Sequence, residues 1–419
     1  MFRWIIFLEL NSFLLAAAFA VESVPASNPF PPRVSLSSAI RSGQLERVKH
    51  LLASGGDVNE RDEAGSTPLI VAVLSDRPEV LRYLIDQGAD VNARQLETDS
   101  TALLYAVLAP RIEMVRTLLS KGADPNLSYS QSRTALHLAA NPAVVDLLIA
   151  GQADIEALDE SGLSPLDEAV LHGRTEIASL LLRAHADPAR IHPADGRGPL
   201  HEAAIKGYPA LVPLLVAAGA DPAAPDRWRQ TPLDLALAYK NPKVVSSLLA
   251  LKPGSPALQA AFGSAMETAV TRGRVEIARM LLDCGWNVNE RTSAGSTYLN
   301  DAALKAQLGV VRLLLDRGAR LDARNQNGGT PLHDAAISGN TSLLSLLLDR
   351  GAAIDARDSE SGATPLMLAA SMGHTAAVAL LLERGADPSL KDSRGRTALS
   401  RAREGQDLDL VKLLQNASG

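Results

Sequence analysis

Histidine, cysteine and carboxylate side chains are where acid-base, nucleophilic or metal chemistry would sit in this sequence. Eight histidines are present. His185 and His192 have six residues between them across a turn signal, and no acidic or sulfur ligand stands in phase with either, so the pair is a weak metal signal. Cys284, the single cysteine, has no histidine near it in sequence to act as a base. It cannot form an internal disulfide or a thiolate metal cage, and an unreactive thiol is expected. Glycine-rich phosphate loops, a serine elbow and paired-carboxylate motifs do not occur. The aspartates are spread along the chain at turns that need them. The expectation is recognition without reaction: no enzyme, no cofactor and no metal.

Trp, Tyr and Arg most often dominate binding energy at protein interfaces, and one stretch concentrates them. Arg227-Trp228-Arg229 precedes Thr231, Tyr239 and Lys240 follow, and Lys206 and Tyr208 hold the matching place one period earlier. The local excess of Arg and Lys points to an acidic patch on a partner protein, although Asp221, Asp226 and Asp234 dilute it. Over the whole chain 41 basic and 47 acidic side chains are mixed, for a net charge of −6. There is no basic stripe, so nucleic acid is not an expected ligand.

A recurring phrase spells the elements that must position these residues. Hydrophobic residues make up 46% and aromatics only 4%, which predicts thin layers of short helices built from Leu, Val, Ile and Ala. The phrase opens at Val34, Thr67, Thr101, Thr134, Ser164, Gly198, Thr231, Ser264, Thr297, Thr330, Thr364 and Thr397. Its period is 33 or 34 residues except from Thr134 to Ser164, where it is 30. Such fixed phase is the mark of a repeat array. In the best copy, Thr330 caps a helix start and Pro331 fits the first helical position. Leu332, Ala335 and Ala336 supply a narrow apolar face, and Gly351 ends a second helix rich in Leu. Ile354 to Arg357 with Gly362 then reads as an extended, turning segment leading to Thr364.

Some copies depart from the phrase. The fourth lacks three residues around Ala140-Asn141-Pro142-Ala143, so its first helix or its connection must be short. After the seventh, Leu251-Lys252-Pro253-Gly254-Ser255-Pro256 replaces the usual turn, and the eighth opens at Ser264 without a proline. Trp286 stands where a small Ala is usual. Softer joints are predicted near residues 138–144 and 251–264. Ser35, Ser37 and Ser38 at one end, and Ser400, Arg401 and Arg403 at the other, read as polar faces of terminal caps over 34–66 and 397–419.

Thr330-Pro331-Leu332-His333 is repeated nearly intact at Thr67-Pro68-Leu69, Thr134-Ala135-Leu136-His137, Gly198-Pro199-Leu200-His201, Thr231-Pro232-Leu233 and Thr364-Pro365-Leu366. Gly88-Ala89-Asp90, Gly122-Ala123-Asp124, Gly219-Ala220-Asp221 and Gly385-Ala386-Asp387 share a second motif. Residues 34–419 thereby resemble the ankyrin repeat family. The resemblance implies an all-α solenoid of about twelve helix-turn-helix units with short β-hairpin-like turns. It implies that His137, His201 and His333 bond the capping residue and have no catalytic role. It also implies a partner along the concave side, touching the turn before each cap and the exposed end of each first helix. Carried over by position, the candidate partner-binding residues are Arg197, Arg227, Trp228 and Arg229 on turns. On helix ends they are His172, Arg174, Lys206, Tyr208, Tyr239 and Arg272.

Residues 1–20 read as a secretory signal peptide: Arg3, apolar runs from Trp4 to Leu8 and Phe13 to Phe19, and a small-residue end at Ala18-Phe19-Ala20. Glu9 opposes insertion and leaves open an uncleaved anchor or a start placed too early. Residues 21–33, with Pro25, Pro29, Pro31 and Pro32, read as a linker. The expected function is a monomeric, non-enzymatic protein-binding module acting as a scaffold, inhibitor or clamp outside the cytoplasm, periplasmic or secreted. Signal-bearing arrays of this kind resemble bacterial periplasmic or secreted ankyrin proteins. The alternative is a membrane-anchored adaptor that retains residues 1–20.

Overall fold

The computed structural model describes residues 35–251 and 256–417, so residues 1–33, expected as a signal peptide and a linker, lie outside the described residues. The fold is an all-α solenoid of helix pairs. Among the described residues there are no extended strands, only isolated antiparallel bridges at Arg94–Thr101, Tyr129–Arg133 and Arg291–Thr297 that mark hairpin-like turns. Two compact units divide the chain, the first ending at Ala106 and the second beginning at Val107. In the first, Leu36–Arg41 with Leu45–Ala53 stacks on Pro68–Leu74 with Pro78–Asp86. In the second, helix pairs follow in the same manner from Ala135–Leu138 with Pro142–Ala150 to Ala398–Glu404 with Leu408–Ala417, first helix on first and second on second.

Local chemistry fixes each start. Thr67 and Thr364 accept the N–H groups of Ile70 and Met367 at 3.4 Å, and a proline follows each cap. The backbone N–H that the hydroxyl satisfies would otherwise be an orphan of the first turn. Where the fourth position is histidine, its ring takes over part of the task. His333 Nδ1 accepts the Thr330 N–H at 3.0 Å and its Nε2 lies 3.1 Å from the Ala363 carbonyl of the next turn. His137 and His201 repeat the pattern with Thr134 and Leu163, and with Gly198 and Ala224. Each ring therefore joins two successive repeats, and burial lowers the pKa of all three imidazoles. The neutral form, with Nε2–H donating forward, is the one that fits.

Packing is almost complete in the best copy. Leu332, Ala335, Ala336, Leu343, Leu344 and Leu347 have no exposed surface. At about 1.5–3 kcal/mol per fully buried leucine, most of a pair's stabilisation comes from faces that only its neighbours can cover.

The deletion in the fourth copy falls on its first helix, which is only Ala135–Leu138, after which Ala139 turns extended and Asn141 caps the second helix. The first unit opens on Ser35, which accepts the Ser38 N–H at 3.2 Å, rather than on Val34, which lies outside the described residues. Ser264 is not a cap. It sits within a continuous helix, Pro256–Thr271, of 16 residues, so the stretch 256–264 expected as a soft joint is helical. Leu258 and Phe262, spaced one helical turn apart and fully buried, anchor this extension. Trp286 fills the space beside it: its ring stacks on Phe262 with centroids 5.6 Å apart, and its Nε1–H donates to the Tyr298 hydroxyl at 3.1 Å. Burial pushes the Tyr298 hydroxyl up to about 12. Arg401, expected on the polar face of the terminal cap, is instead buried, its guanidinium 2.6 Å from the Asp392 carboxylate.

Candidate functional site

The turn that carries Trp228 is organised by Asp226. Its side chain is fully buried, and Oδ1 accepts the N–H groups of Trp228 at 2.9 Å and Gln230 at 2.8 Å. Oδ2 accepts Arg197 Nε at 3.1 Å. Burial works to raise the carboxyl pKa, but the backbone donors and Arg197 outweigh it and hold Asp226 below its ordinary value. The turn is thereby rigid, and its tip is presented outward with Arg229 in the left-handed region at φ 62°.

Arg197 does double duty across two neighbouring turns. While bonded to Asp226, its guanidinium lies over the Trp228 ring at 5.1 Å from the centroid. Trp228 is 59% exposed, so one indole face rests on Arg197 and the other is open. A cation over an indole contributes about 0.5–2 kcal/mol, enough to hold the ring in one orientation. Arg227 is exposed: its N–H donates to the Asp195 carbonyl at 2.9 Å, and its guanidinium lies 3.5 Å from the Pro193 carbonyl. Arg197, Arg227, Trp228 and Arg229 thus form one platform.

The helix-end candidates divide. Lys206, Tyr239 and Arg272 are exposed, Tyr239 at 55%. Tyr208 is half-buried, with its ring against Gly173; a Cβ at Gly173 would lie 2.7 Å from the ring, and the backbone there has φ 65°. Tyr208 therefore covers the join between the fifth and sixth repeats. His172 is turned back on its own helix: Nδ1 lies 2.8 Å from the Glu168 carbonyl and 3.2 Å from the Glu168 carboxylate, which raises the imidazole pKa. Glu168 is buried and also paired with Arg133. Arg174 is half-buried and reaches the Ala139 carbonyl at 3.4 Å. Arg174 thus bridges to the preceding repeat, whereas His172 is exposed and bonded within its own helix.

The other residues considered for chemistry also have structural partners. His192 Nε2 lies 2.6 Å from the Ser161 carbonyl and its Nδ1 accepts the Ala194 N–H at 3.3 Å. Exposed His185 takes a left-handed turn position at φ 71°. Cys284 is half-buried, with Sγ 3.4 Å from the Pro242 carbonyl. Sequence reasoning missed Asp226 as the organiser of the platform, having counted it only as diluting charge. The signal was there, since Asp62, Asp159, Asp358 and Asp392 stand in the equivalent place and accept turn N–H groups in the same way.

A model of three ankyrin repeats matches residues 36–129, 128–192, 256–325, 306–392 and 332–419, and a single-repeat model matches 195–227. The chain belongs to the ankyrin repeat family. Ankyrin repeats are typically protein–protein interaction modules and usually non-catalytic. Among curated proteins the chain is similar to human protein phosphatase 1 regulatory subunit 27, 46% identical over 65 residues, which is 16% of this chain and 42% of the relative. The Mus musculus protein of that name is 35% identical over 91 residues, 22% of this chain and 56% of the relative. Palmitoyltransferase akr1 of Schizosaccharomyces pombe is 44% identical over 147 residues, 34% of this chain and 23% of the relative. The chain thus spans about half the length, or less, of these relatives. Among the described residues no helix is long and apolar enough to cross a membrane.

Proposed function

We propose that this ankyrin repeat chain is a non-enzymatic module that binds a protein with an acidic face, engaged by Arg197, Arg227, Trp228 and Arg229 and flanked by Lys206 and Tyr239. The observation that carries this reading is the half-open indole of Trp228 held on Arg197. A large apolar ring kept rigid at the surface loses little entropy on binding, and cations around it select an acidic partner. Two relatives carry the name of a protein phosphatase 1 regulatory subunit, which makes a phosphatase the first purified candidate to test. Export from the cytoplasm by residues 1–20 is part of the proposal: a mature N-terminus near Val21 is its expected sign, and one at Met1 would favour the anchored adaptor.

The direct test is an affinity pull-down from the extracytoplasmic fraction, with the unaltered chain beside a Trp228→Ala, Lys206→Glu variant. A partner held by the first should be lost by the second, since an interface anchor contributes about 2 kcal/mol, or roughly 30-fold in Kd. Equal capture would move the site elsewhere on the array.

A further inference from the structure

In the second unit four pairs of neighbouring turn tips are joined by a backbone hydrogen bond. The N–H groups of Glu160, Arg227, Glu360 and Ser393 donate to the carbonyls of Gln131, Asp195, Asn327 and Ser361 at 2.9, 2.9, 3.2 and 2.8 Å. At the eighth repeat no such bond can form on either side, because the residues that would make its preceding turn belong to the helix Pro256–Thr271. Such a gap leaves an N–H on one side and a carbonyl on the other.

The N–H side is closed. Ser293, whose N–H would have met the missing turn, donates instead to the Glu267 carboxylate, and its hydroxyl lies 3.0 Å from Glu267 Oε2. Glu267 thus imitates the absent carbonyl. The other side has no such substitute. By register the open acceptor is the Trp228 carbonyl, the counterpart of the Asp195 and Asn327 oxygens, and no described residue donates to it. Beside it lie the free indole face and the exposed side chains of Arg227 and Arg229, neither of which has a carboxylate partner among the described residues.

We propose that the Trp228 edge of this gap docks an acidic segment of the partner in place of the missing turn. One backbone N–H of that segment donates to the Trp228 carbonyl, an apolar side chain covers the open indole face, and carboxylates pair with Arg227 and Arg229. This rests on the binding function proposed above and narrows it to one edge and one chemistry. Charge selects the occupant. The chain's own Lys252-Pro253-Gly254-Ser255 carries no carboxylate, and a second copy docking by the same edge would set arginine against arginine.

The test selects random displayed peptides on the full chain and measures the winners by fluorescence anisotropy. The expected winners combine Asp or Glu with an aromatic or aliphatic residue. They should bind about tenfold more weakly after N-methylation of one backbone amide, and at least about tenfold more weakly to Trp228→Ala and to the Arg227→Glu, Arg229→Glu variant. Selection of no peptide, of peptides without acidic residues, or of peptides that bind both variants unchanged would overturn the proposal. So would a partner from the pull-down that stays bound under saturating peptide, and that result would leave the binding function itself standing. A self-association of the full chain that the peptide abolishes would assign the edge to a second copy and likewise refute the acidic-partner reading.

Discussion

Asp334 is expected to make the stability of this array fall as pH rises. It is 3% exposed, and its carboxyl oxygens accept from neutral amides: Asn300 Nδ2 at 2.7 Å, and Asn325 Nδ2 at 3.0 Å. Burial raises its pKa, the Asn300 and Asn325 donors pull it down, the Asp301 charge pushes it up again, and the net is a rise from 3.8 to about 7. A carboxyl whose pKa is higher in the folded state stabilises fully below its unfolded pKa and loses that stabilisation as pH rises to the folded value. Across the roughly three pH units involved, at about 1.4 kcal/mol each, the cost of ionising Asp334 is of order 4 kcal/mol. Asp334→Asn removes the titration and keeps the shape. Urea unfolding at fixed ionic strength, from about pH 4.5 to about pH 8.5, should show the variant gaining on the unaltered chain as pH rises, with no further gain above about pH 8. The comparison isolates Asp334 from groups common to both proteins. Parallel profiles, or a carboxyl carbon of Asp334 that titrates below about pH 5 by NMR, would refute the reasoning.

Other outcomes follow from the same geometry. His137, His201 and His333 have lowered pKa values from burial, so each contributes stability above the unfolded value near pH 6.5 that is lost as pH falls through its folded value; His333→Gln should flatten part of that acid loss in a thermal melt, and an unchanged acid limb would contradict it. Trp286→Ala removes the Phe262 stack and the Tyr298 bond and should cost about 3–5 kcal/mol, with amide exchange rising first along Pro256–Thr271; a cost under about 1 kcal/mol would mean the long helix is held by other contacts. Gly173→Ala should destabilise by about 1–3 kcal/mol from its positive φ and the Tyr208 ring. In a Tyr208→Ala background that cost should shrink, and an additive double-mutant cycle would show that the ring is not the obstacle.

How much was legible in the sequence differs by residue. Thr330, Pro331, Leu332 and Gly351 act through bonds and backbone preferences reaching only a few residues, so their roles could be read directly. The fold class followed from their recurrence. Trp228 was legible as an exposed ring because a large aromatic between two arginines on a turn has few neighbours to bury it. The partner of its ring was less visible, since Arg197 and Asp226 are 29 residues apart and meet only when one repeat is laid on the next.

What tertiary structure alone decided lies at such joins. Ser264 has the residue type and phase of a cap, yet Leu258 and Phe262 gain more from burial against the stack and Trp286 than a cap at Ser264 would contribute, so the helix runs through it. Arg401 reads as a surface residue, yet Asp392 lies within reach on the preceding turn and draws it inward. Arg174 was expected at an exposed helix end, and packing brings it to the Ala139 carbonyl of the preceding repeat. The sequence by itself determined where most of the helices start and how they repeat, because capping and periodicity are local. Which polar side chains remained free for a partner was decided by contacts between repeats, because a charged group takes the nearest opposite partner that packing brings to it.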